Sequence, residues 1–413
     1  MAVNDHPDAQ WFGNAVLGLF IHWGIASNAS VDLSWGMLKD KPWEPKDMQN
    51  HITPHEYWLL ADKFDPDSYE PDRWLMAARK AGMEYAVFTA KHHDGYTMWP
   101  SKYGNFGSKR DFVREYIEAC RRQGLKVGLY FSLIDWHNPD FQINRLLLDA
   151  PGEVTYDEYK SAYRSFKVDN GNKLAQLERY YRYTLDQIRE LMTNYGKIDL
   201  LWFDGEPFEY GIGNIYGFVR ASQPHIVVNG RVNYSVYGDY LTPEGQMPDR
   251  PPEGWWELCY PWHNGGWGYN KAETFKSMDW TLEMIAKTAS WGGKLLLNIG
   301  PRPDGSLPDP AYAMLEELKV WMEQNSSSIK NVQRGPYPSP CDVPVTQSNG
   351  VWYLHKTRQH GSVVEIRNVK KPEKVRLLRE PIDLEYSYNE GKLKIIVSEN
   401  EVLSGDEVIA VTW

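Results

Sequence analysis

The stretch Leu200-Leu201-Trp202-Phe203-Asp204-Gly205 decides the fold of this chain. An apolar run over residues 198–203 stops at one acidic residue and a glycine, which predicts a buried parallel strand. Trp202 lies two positions before Asp204, so both side chains point to the same side of the strand. In a barrel of alternating strands and helices, the carboxyl ends of the strands carry the chemistry. We therefore expect a carboxylate beside an aromatic surface at that face, although Asp204 could instead only cap the turn that follows.

Strands and helices alternate around this stretch. The pattern predicts strands over 17–22, 85–90, 126–132, 226–229 and 295–299, and helices over 72–82, 111–124, 172–195 and 310–324. Residues 139–170 are polar and poorly periodic, which is typical of a long inserted loop. The alternation predicts an α/β fold, an irregular (β/α) barrel of TIM type over residues 1–334.

The pattern changes after residue 334. Residues 335–340, Gly-Pro-Tyr-Pro-Ser-Pro, have the composition of a linker. Short segments with a period of two follow, as where Leu393 and Ile395 alternate with Lys394. Residues 335–413 are therefore predicted to form a small antiparallel β-sandwich.

Composition narrows the class of protein. The 413 residues are 42% hydrophobic and carry a net charge of −10, which disfavours nucleic acid and anionic membranes as partners. The three cysteines have no motif spacing, which argues against a disulfide framework or a zinc finger. The first ten residues are polar and lack an apolar signal core. We expect a cytoplasmic protein, or a secreted one if a signal peptide has been removed; the sequence does not indicate the oligomeric state.

Five polar or aromatic clusters lie at or near the ends of predicted strands, which would gather them at one face of the barrel. The clusters are His22-Trp23-Gly24, Lys91-His92-His93-Asp94-Gly95, Asp135-Trp136-His137 after Tyr130, Trp202 to Gly205, and Asn229-Gly230-Arg231. Each could be structural when taken alone. Together, a carboxylate, neutral imidazoles and aromatic rings suit a sugar, whose hydroxyls need hydrogen bonds and whose C–H face needs an apolar surface.

The same histidines raise the possibility of a metal site. His22, His92, His93 and Asp204 include suitable ligand types. Barrel metallohydrolases, however, usually need two histidines separated by one residue at the first strand, and this chain has His22 alone there. Adjacent His92 and His93 also point to opposite sides of an extended chain. We predict no metal and no cofactor.

Hydrolysis of a glycoside requires a second carboxyl group. Glu244 and Glu253 lie among prolines and glycines, which indicates exposed loops. Glu257 follows two tryptophans and precedes Leu258-Cys259. An apolar setting of that kind raises the pKa of a carboxyl group towards the value that a general acid requires. Glu257 is therefore the predicted partner of Asp204, with a partly buried Glu paired to Arg or Lys as the alternative.

The series of motifs resembles the α-L-fucosidases of glycoside hydrolase family 29 over about residues 11–304. The motifs are His22-Trp23-Gly24, Lys91 to Gly95, Trp202 to Gly205, Trp256-Glu257 with Trp267-Gly268-Tyr269-Asn270, and Leu295 to Pro301. The predicted C-terminal sandwich is similar to that family's second domain. One position departs from the pattern, because several members place a Glu before the tryptophan that is Trp35 here, and this chain has Ser34.

The resemblance implies a retaining exo-glycosidase that removes terminal α-L-fucose from oligosaccharides or glycoconjugates without a cofactor. It places Asp204 at the position of the nucleophile and Glu257 at that of the acid/base. The sugar-binding positions it implies are His22, Trp35, His92, His93, Tyr130, Trp202, Arg231 and Trp267. Two alternatives stay open: a fucose-binding protein without activity, which would normally have lost one carboxylate, and a metal-dependent barrel hydrolase.

Overall fold

The computed structural model describes residues 3–43, 50–141, 144–168, 174–205, 211–232, 236–271, 274–357, 360–380, 382–397 and 407–413. The strands up to residue 299 are β1 (Leu17–Ile21), β2 (Leu38–Lys39), β3 (Tyr85–Lys91), β4 (Lys126–Ser132), β5 (Val154–Thr155), β6 (Leu200–Asp204), β7 (Val227–Val228), β8 (Tyr240–Leu241), β9 (Trp255–Pro261) and β10 (Lys294–Ile299). The helices are α1 (Trp11–Asn14), α2 (Pro54–Trp58), α3 (Pro71–Lys80), α4 (Phe112–Gln123), α5 (Asn144–Leu148), α6 (Tyr156–Val168), α7 (Leu174–Asn194), α8 (Ile212–Ser222), α9 (Met278–Ser290) and α10 (Asp309–Asn325).

Eight parallel strands form the barrel. Their order is β7-β6-β4-β3-β1-β10-β9-β8. The first strand in the sequence, β1, therefore pairs with the last barrel strand, β10. A parallel bridge between Asn229, which follows β7, and Tyr240 of β8 joins the two edges of the sheet. The predicted (β/α) barrel is confirmed, and its strands all point their carboxyl ends towards one face.

Local sequence explains the regular elements. Every residue of β1, β3 and β10 is buried, as the continuous apolar runs require. Helix α4 begins where the Asp111 side chain accepts a hydrogen bond of 2.9 Å from the Arg114 N–H. It ends at Gly124, which adopts the left-handed conformation (φ 70°) that favours glycine. Its apolar side, Phe112, Val113, Tyr116, Ile117 and Cys120, is buried.

The C-terminal residues form antiparallel sheets, as predicted. One sheet has the order β11-β12-β13-β18-β15 and the other β14-β17-β16. The strands are β11 (Gln333–Arg334), β12 (Val345–Ser348), β13 (Val351–Lys356), β14 (Val363–Ile366), β15 (Lys374–Leu377), β16 (Tyr386–Asn389), β17 (Lys392–Ile396) and β18 (Glu407–Thr412). Leu393 and Ile395 are fully buried in a core separate from that of the barrel, whereas Lys394 is exposed. Strand β11 starts just before residue 335, and the boundary there stays a prediction.

The segment predicted to be a long loop, residues 139–170, differs from that prediction in its described part. It contains α5, the short strand β5 and helix α6. Strand β5 pairs in parallel with β2, so the insertion is fastened to the segment that follows β1. Polar composition hid these elements from a search for apolar periodicity. None of the helices in the described part of the chain combines the length and apolar character that a membrane span requires.

Candidate active site

A cavity of about 330 Å³ lies at the carboxyl ends of the barrel strands. Asp204 lines this cavity, and so does every residue predicted to bind sugar: His22, Trp35, His92, His93, Tyr130, Trp202, Arg231 and Trp267. Glu257 is missing from the lining, whereas Glu244 is part of it. The strand-end clusters of the sequence therefore converge, but the second carboxyl group of the cavity is not the expected one.

Asp204 ends β6, accepts hydrogen bonds from two side chains and lies close to a third. Tyr130 Oη donates a hydrogen bond of 2.7 Å to Oδ2, and Arg231 Nε donates one of 2.8 Å to Oδ1. His93 Nε2 lies 3.7 Å from Oδ2. Burial by itself would raise the pKa of the carboxyl group, but Arg231, His93 and Tyr130 together lower it to about 2. Asp204 is thus an oriented, ionised carboxylate at the wall of the cavity.

Three histidines each use Nδ1 for a hydrogen bond within the protein. The Nδ1 atoms of His22, His92 and His93 lie 2.7 Å from Asn298 Oδ1, Ser34 Oγ and Ser132 Oγ, respectively. Burial lowers the pKa of His22 to about 3 and that of His93 to about 4, and holds the pKa of His92 well below its usual range. The rings are therefore neutral near pH 7, with Nε2 left to meet hydroxyl groups of a ligand.

The hydrogen-bond partners of these rings could not be predicted from the sequence. Ser34 occupies the position at which the chain departs from the family pattern, and its hydroxyl orients His92. Asn298 lies in the Leu295–Pro301 motif, but the motif does not show that its amide meets His22. Each partner comes from a different strand or loop, so no spacing within the sequence could have revealed these pairs.

Aromatic rings form the apolar part of the cavity. Tyr130 stacks on Trp202 with ring centroids 5.6 Å apart, and Phe20 lies 5.3 Å from Trp202. Trp267 lies 5.1 Å from the His22 ring, and Asp32 Oδ1 accepts a hydrogen bond of 2.8 Å from the Trp267 backbone N–H. The cavity thus pairs neutral hydrogen-bonding rings with an apolar surface, as a deoxy sugar requires.

Glu257 lies beneath the cavity rather than in it. It is the third residue of β9 and is 0% exposed. Its Oε2 accepts a hydrogen bond of 2.5 Å from Tyr85 Oη, and its Oε1 accepts one of 3.0 Å from Trp202 Nε1. Cys259, two residues further along β9, points to the same side and lines the cavity. Glu257 therefore sits one layer deeper, about 6–7 Å along the strand.

The predicted role of Glu257 as proton donor does not fit this position. Burial does raise the pKa of its carboxyl group, to about 7, although bonds from Tyr85 and Trp202 oppose the rise. The expected apolar setting is therefore present, but the Trp202 indole lies between the carboxyl group and the cavity. A proton donor must come within hydrogen-bonding reach of the leaving oxygen.

Glu244 is the carboxyl group that shares the cavity with Asp204. It follows β8, and two backbone hydrogen bonds of 3.1 Å, between Gly245 N and Cys259 O and between Cys259 N and Pro243 O, fasten its segment to β9. Its side chain is 37% exposed, and its carboxylate accepts a hydrogen bond from Arg231 Nη2. The sequence placed Glu244 on an exposed loop because of its proline and glycine neighbours, and the residue is exposed, but the two-residue strand β8 has no periodicity that would predict its position at the cavity.

One guanidinium group therefore links the two carboxylates. Arg231 uses Nε for Asp204 and Nη2 for Glu244, and its centre lies 5.1 Å from the Trp202 ring. Both carboxyl groups lie within the reach of a single planar side chain.

A cation site at the same place has to be weighed. Ligand atoms of His92, His93 and Asp204 all lie within 4.8 Å of one another. Both oxygens of Asp204 already accept hydrogen bonds, however, and one donor is the positively charged Arg231. A metal ion would compete with that charge for the same carboxylate. The arrangement suits a neutral sugar better than a cation.

Comparison with known proteins identifies the family. The family model described as alpha-L-fucosidase matches residues 2–327. The chain belongs to the α-L-fucosidase family. It is therefore a glycoside hydrolase that acts on terminal α-L-fucosides.

Individual fucosidases are similar over most of their length. Tissue alpha-L-fucosidase of Mus musculus is 29% identical over 79% of this chain and 72% of its own. Alpha-L-fucosidase isoenzyme 1 from Paenibacillus thiaminolyticus is 26% identical, with a TM-score of 0.81 over 98% of both chains. A GH29 alpha-L-fucosidase from Bacteroides thetaiotaomicron, solved as a trapped covalent intermediate, is 23% identical, with a TM-score of 0.79 over 100% of this chain and 97% of its own.

Proposed function

We propose that this fucosidase releases terminal α-L-fucose from oligosaccharides or glycoconjugates with retention of configuration, using Asp204 as nucleophile and Glu244 as acid/base. The observation that carries the proposal is the Arg231 guanidinium, which binds both carboxylates at the wall of one cavity. The covalent intermediate trapped in the Bacteroides relative supports a double displacement. This assignment replaces Glu257 as the acid/base.

In the first step the fucose ring occupies the cavity among the three histidines. Asp204 attacks the anomeric carbon and forms a C–O bond to it. The bond from that carbon to the leaving oxygen breaks, and Glu244 donates its proton to this oxygen. Tyr130 and Arg231 hold the Asp204 carboxylate in its line of attack. The product of the step is a fucosyl ester of Asp204 and a free leaving group.

In the second step Glu244 is ionised and accepts a proton from water. The water oxygen attacks the anomeric carbon, and the bond to Asp204 breaks with its electron pair returning to the carboxylate. Two inversions give fucose of the original configuration. Because Glu244 is partly exposed, water and the leaving group can both reach it.

The experiment is the Asp204→Ala variant assayed on an aryl α-L-fucoside with and without azide. We expect Asp204→Ala to lose nearly all turnover but to keep binding fucose. Azide should then restore some activity and give β-fucosyl azide, since it attacks from the face that Asp204 has vacated. Glu253→Ala, which removes an exposed glutamate outside the cavity, is the matched control. Unchanged turnover in Asp204→Ala would remove Asp204 from the mechanism.

A further inference from the structure

Helix α6 presents one face to the active-site cavity. Tyr156, Tyr159, Lys160 and Tyr163 all line the cavity, and their spacing of 0, 3, 4 and 7 residues is that of one helix face. The helix belongs to the insertion between β4 and α7, outside the strands and strand ends that hold Asp204 and the histidines. The cavity therefore has an outer wall that the barrel strands do not supply.

This outer wall is fastened in place. Strand β5, directly before α6, pairs with β2, and Glu153 beside it forms an ion pair with Lys39 and a hydrogen bond of 2.9 Å with His51 Nε2. Thr155 caps the first turn of α6. Its backbone N–H and its hydroxyl donate hydrogen bonds to the Glu158 carboxylate, and the Glu158 backbone N–H donates one to the Thr155 hydroxyl. The Tyr159 ring lies 5.1 Å from Trp136. A face held in this way is organised before a ligand arrives.

Aromatic rings continue from the sugar site outwards along this wall. The Trp35 ring lies 5.3 Å from His93 on one side and 5.9 Å from Tyr159 on the other. Further out, Trp43 lies 5.4 Å from Trp35 and 4.9 Å from Tyr156. Trp43 is 49% exposed, so the row of rings ends in solvent. Tyr156, Tyr159 and Lys160 line the same cavity as Asp204 and Glu244, so a group attached to the sugar that extends to this side of the cavity would meet these rings.

We propose that Trp43, Tyr156 and Lys160 form a leaving-group subsite that binds the sugar to which fucose is attached. Tyrosine and tryptophan offer apolar area at little entropic cost, and pyranose rings present C–H faces to such surfaces. Lys160 supplies hydrogen-bond donors for hydroxyl oxygens, with its Nζ 5.9 Å from the Tyr156 ring centre. The proposal rests on the proposed function and assigns the recognition of its saccharide leaving group to residues outside the barrel strands.

The test compares two substrates that differ only in the leaving group. α-L-Fucosyl fluoride leaves a single atom and does not occupy the subsite, whereas fucosyl-α-1,2-galactose places a pyranose there. For Tyr156→Ala and Lys160→Ala, we expect kcat/KM on the disaccharide to fall about tenfold more than kcat/KM on the fluoride. A difference of about tenfold corresponds to the loss of one aromatic or polar contact. Trp43→Ala, which lies in a different segment of the chain, should also lower kcat/KM on the disaccharide more than kcat/KM on the fluoride.

Arg164→Ala is the matched control, because it removes an exposed charge from the same helix outside the cavity. It should leave the ratio of the two kcat/KM values unchanged. An equal fall on both substrates, or no fall on either, would overturn the subsite. A failure of the proposed function can be told apart from a failure of the subsite. If Asp204 were not the nucleophile, the Asp204→Ala variant would still hydrolyse fucosyl fluoride.

Discussion

Glu257 Oε1 accepts a hydrogen bond of 3.0 Å from Trp202 Nε1, so a carboxyl group with no exposed surface holds a ring that lines the fucose site. Glu257 also lies opposite Lys294 on the neighbouring strand, where burial lowers the pKa of Lys294 to about 8. Glu257 departs from both expectations: it does not reach the cavity as a proton donor would, and it is fully buried with Tyr85 and Trp202 as hydrogen-bond partners rather than partly buried and paired to Arg or Lys. Its effect on catalysis passes through Trp202.

Substitution of Glu257 should affect stability more than it affects the chemistry. Glu257→Leu leaves the Trp202 indole N–H and the Tyr85 hydroxyl without their acceptor, which costs about 3 kcal/mol of the free energy of unfolding. Glu257→Gln keeps an oxygen acceptor and should lose less. Chemical denaturation of both variants and of the native protein measures these changes in the free energy of unfolding.

The kinetics of Glu257→Gln separate positioning from proton transfer. We expect its relative loss of kcat/KM to be the same for aryl fucosides with good and with poor leaving groups. Azide should not restore activity. A larger loss with poor leaving groups, together with azide rescue, would return the role of acid/base to Glu257.

Glu244→Ala should show the opposite pattern. Without the proton donor, hydrolysis of an unactivated fucoside should fall by about 100-fold or more, while an aryl fucoside whose leaving group needs no proton loses much less in its first step. Azide should attack the accumulated fucosyl-enzyme and give α-fucosyl azide. Glu253→Ala serves as the control, and equal losses on both substrates would contradict the assignment.

Arg231 should set the acid side of the pH profile. In the native protein the pKa of Asp204 is about 2, so this carboxylate stays ionised throughout mildly acidic conditions. Arg231→Met removes a charge that lowers the pKa of both Asp204 and His93, and the acid limb of kcat/KM should therefore move to higher pH. Fucosyl fluoride is the suitable substrate, since its hydrolysis does not require a proton donor in the first step. An acid limb that stays in place would show that Arg231 does not control Asp204.

Glu257 should also make the fold less stable as the pH rises. Its pKa is raised from 4.5 to about 7, so folding favours the protonated form. The stabilisation is complete below pH 4.5 and is lost as the pH rises through about 7, with a total on the order of 3 kcal/mol. Glu257→Gln lacks this titration, and its free energy of unfolding should vary less across that window. Parallel curves for the two proteins would contradict the prediction.

A chelator should leave the activity unchanged. Arg231 and Tyr130 already occupy both oxygens of Asp204, the carboxylate of the one group of possible metal ligands found among the described residues. Turnover of an aryl fucoside before and after extended dialysis against EDTA checks this expectation. Lost activity that zinc or another divalent ion restores would support the metal-dependent alternative.

The sequence predicted what depends on local spacing. Trp202 and Asp204 share a side because a strand has a period of two, and both line the cavity as expected. The other strand-end residues, such as His22 and Arg231, followed from the rule that one face of a barrel collects the carboxyl ends of its strands. The separate apolar core of the C-terminal sheets also followed from alternation.

Depth along a strand and pairing across the fold could not be predicted in this way. The Glu257 side chain points to the same side of β9 as Cys259, which lines the cavity, but it lies deeper in the barrel than expected. The register of β9 with its neighbouring strands sets that depth. Glu244 reaches the cavity because Cys259, on another strand, binds the backbone on both sides of it. The Nδ1 partners of the histidines are similarly distant in the chain.

Main-chain hydrogen bonds attach residues 243–245 to β9, and the donor Gly245 has a φ of 70°, which favours glycine. Pro243 contributes only its carbonyl oxygen, so its side chain can be exchanged without loss of the bond, whereas Gly245 is constrained by its conformation. The consequence is that linear motifs are poor guides to this carboxylate in distant homologues. In such homologues the residue equivalent to Glu244 should be found in the structure as the carboxyl group that binds the same guanidinium as the nucleophile.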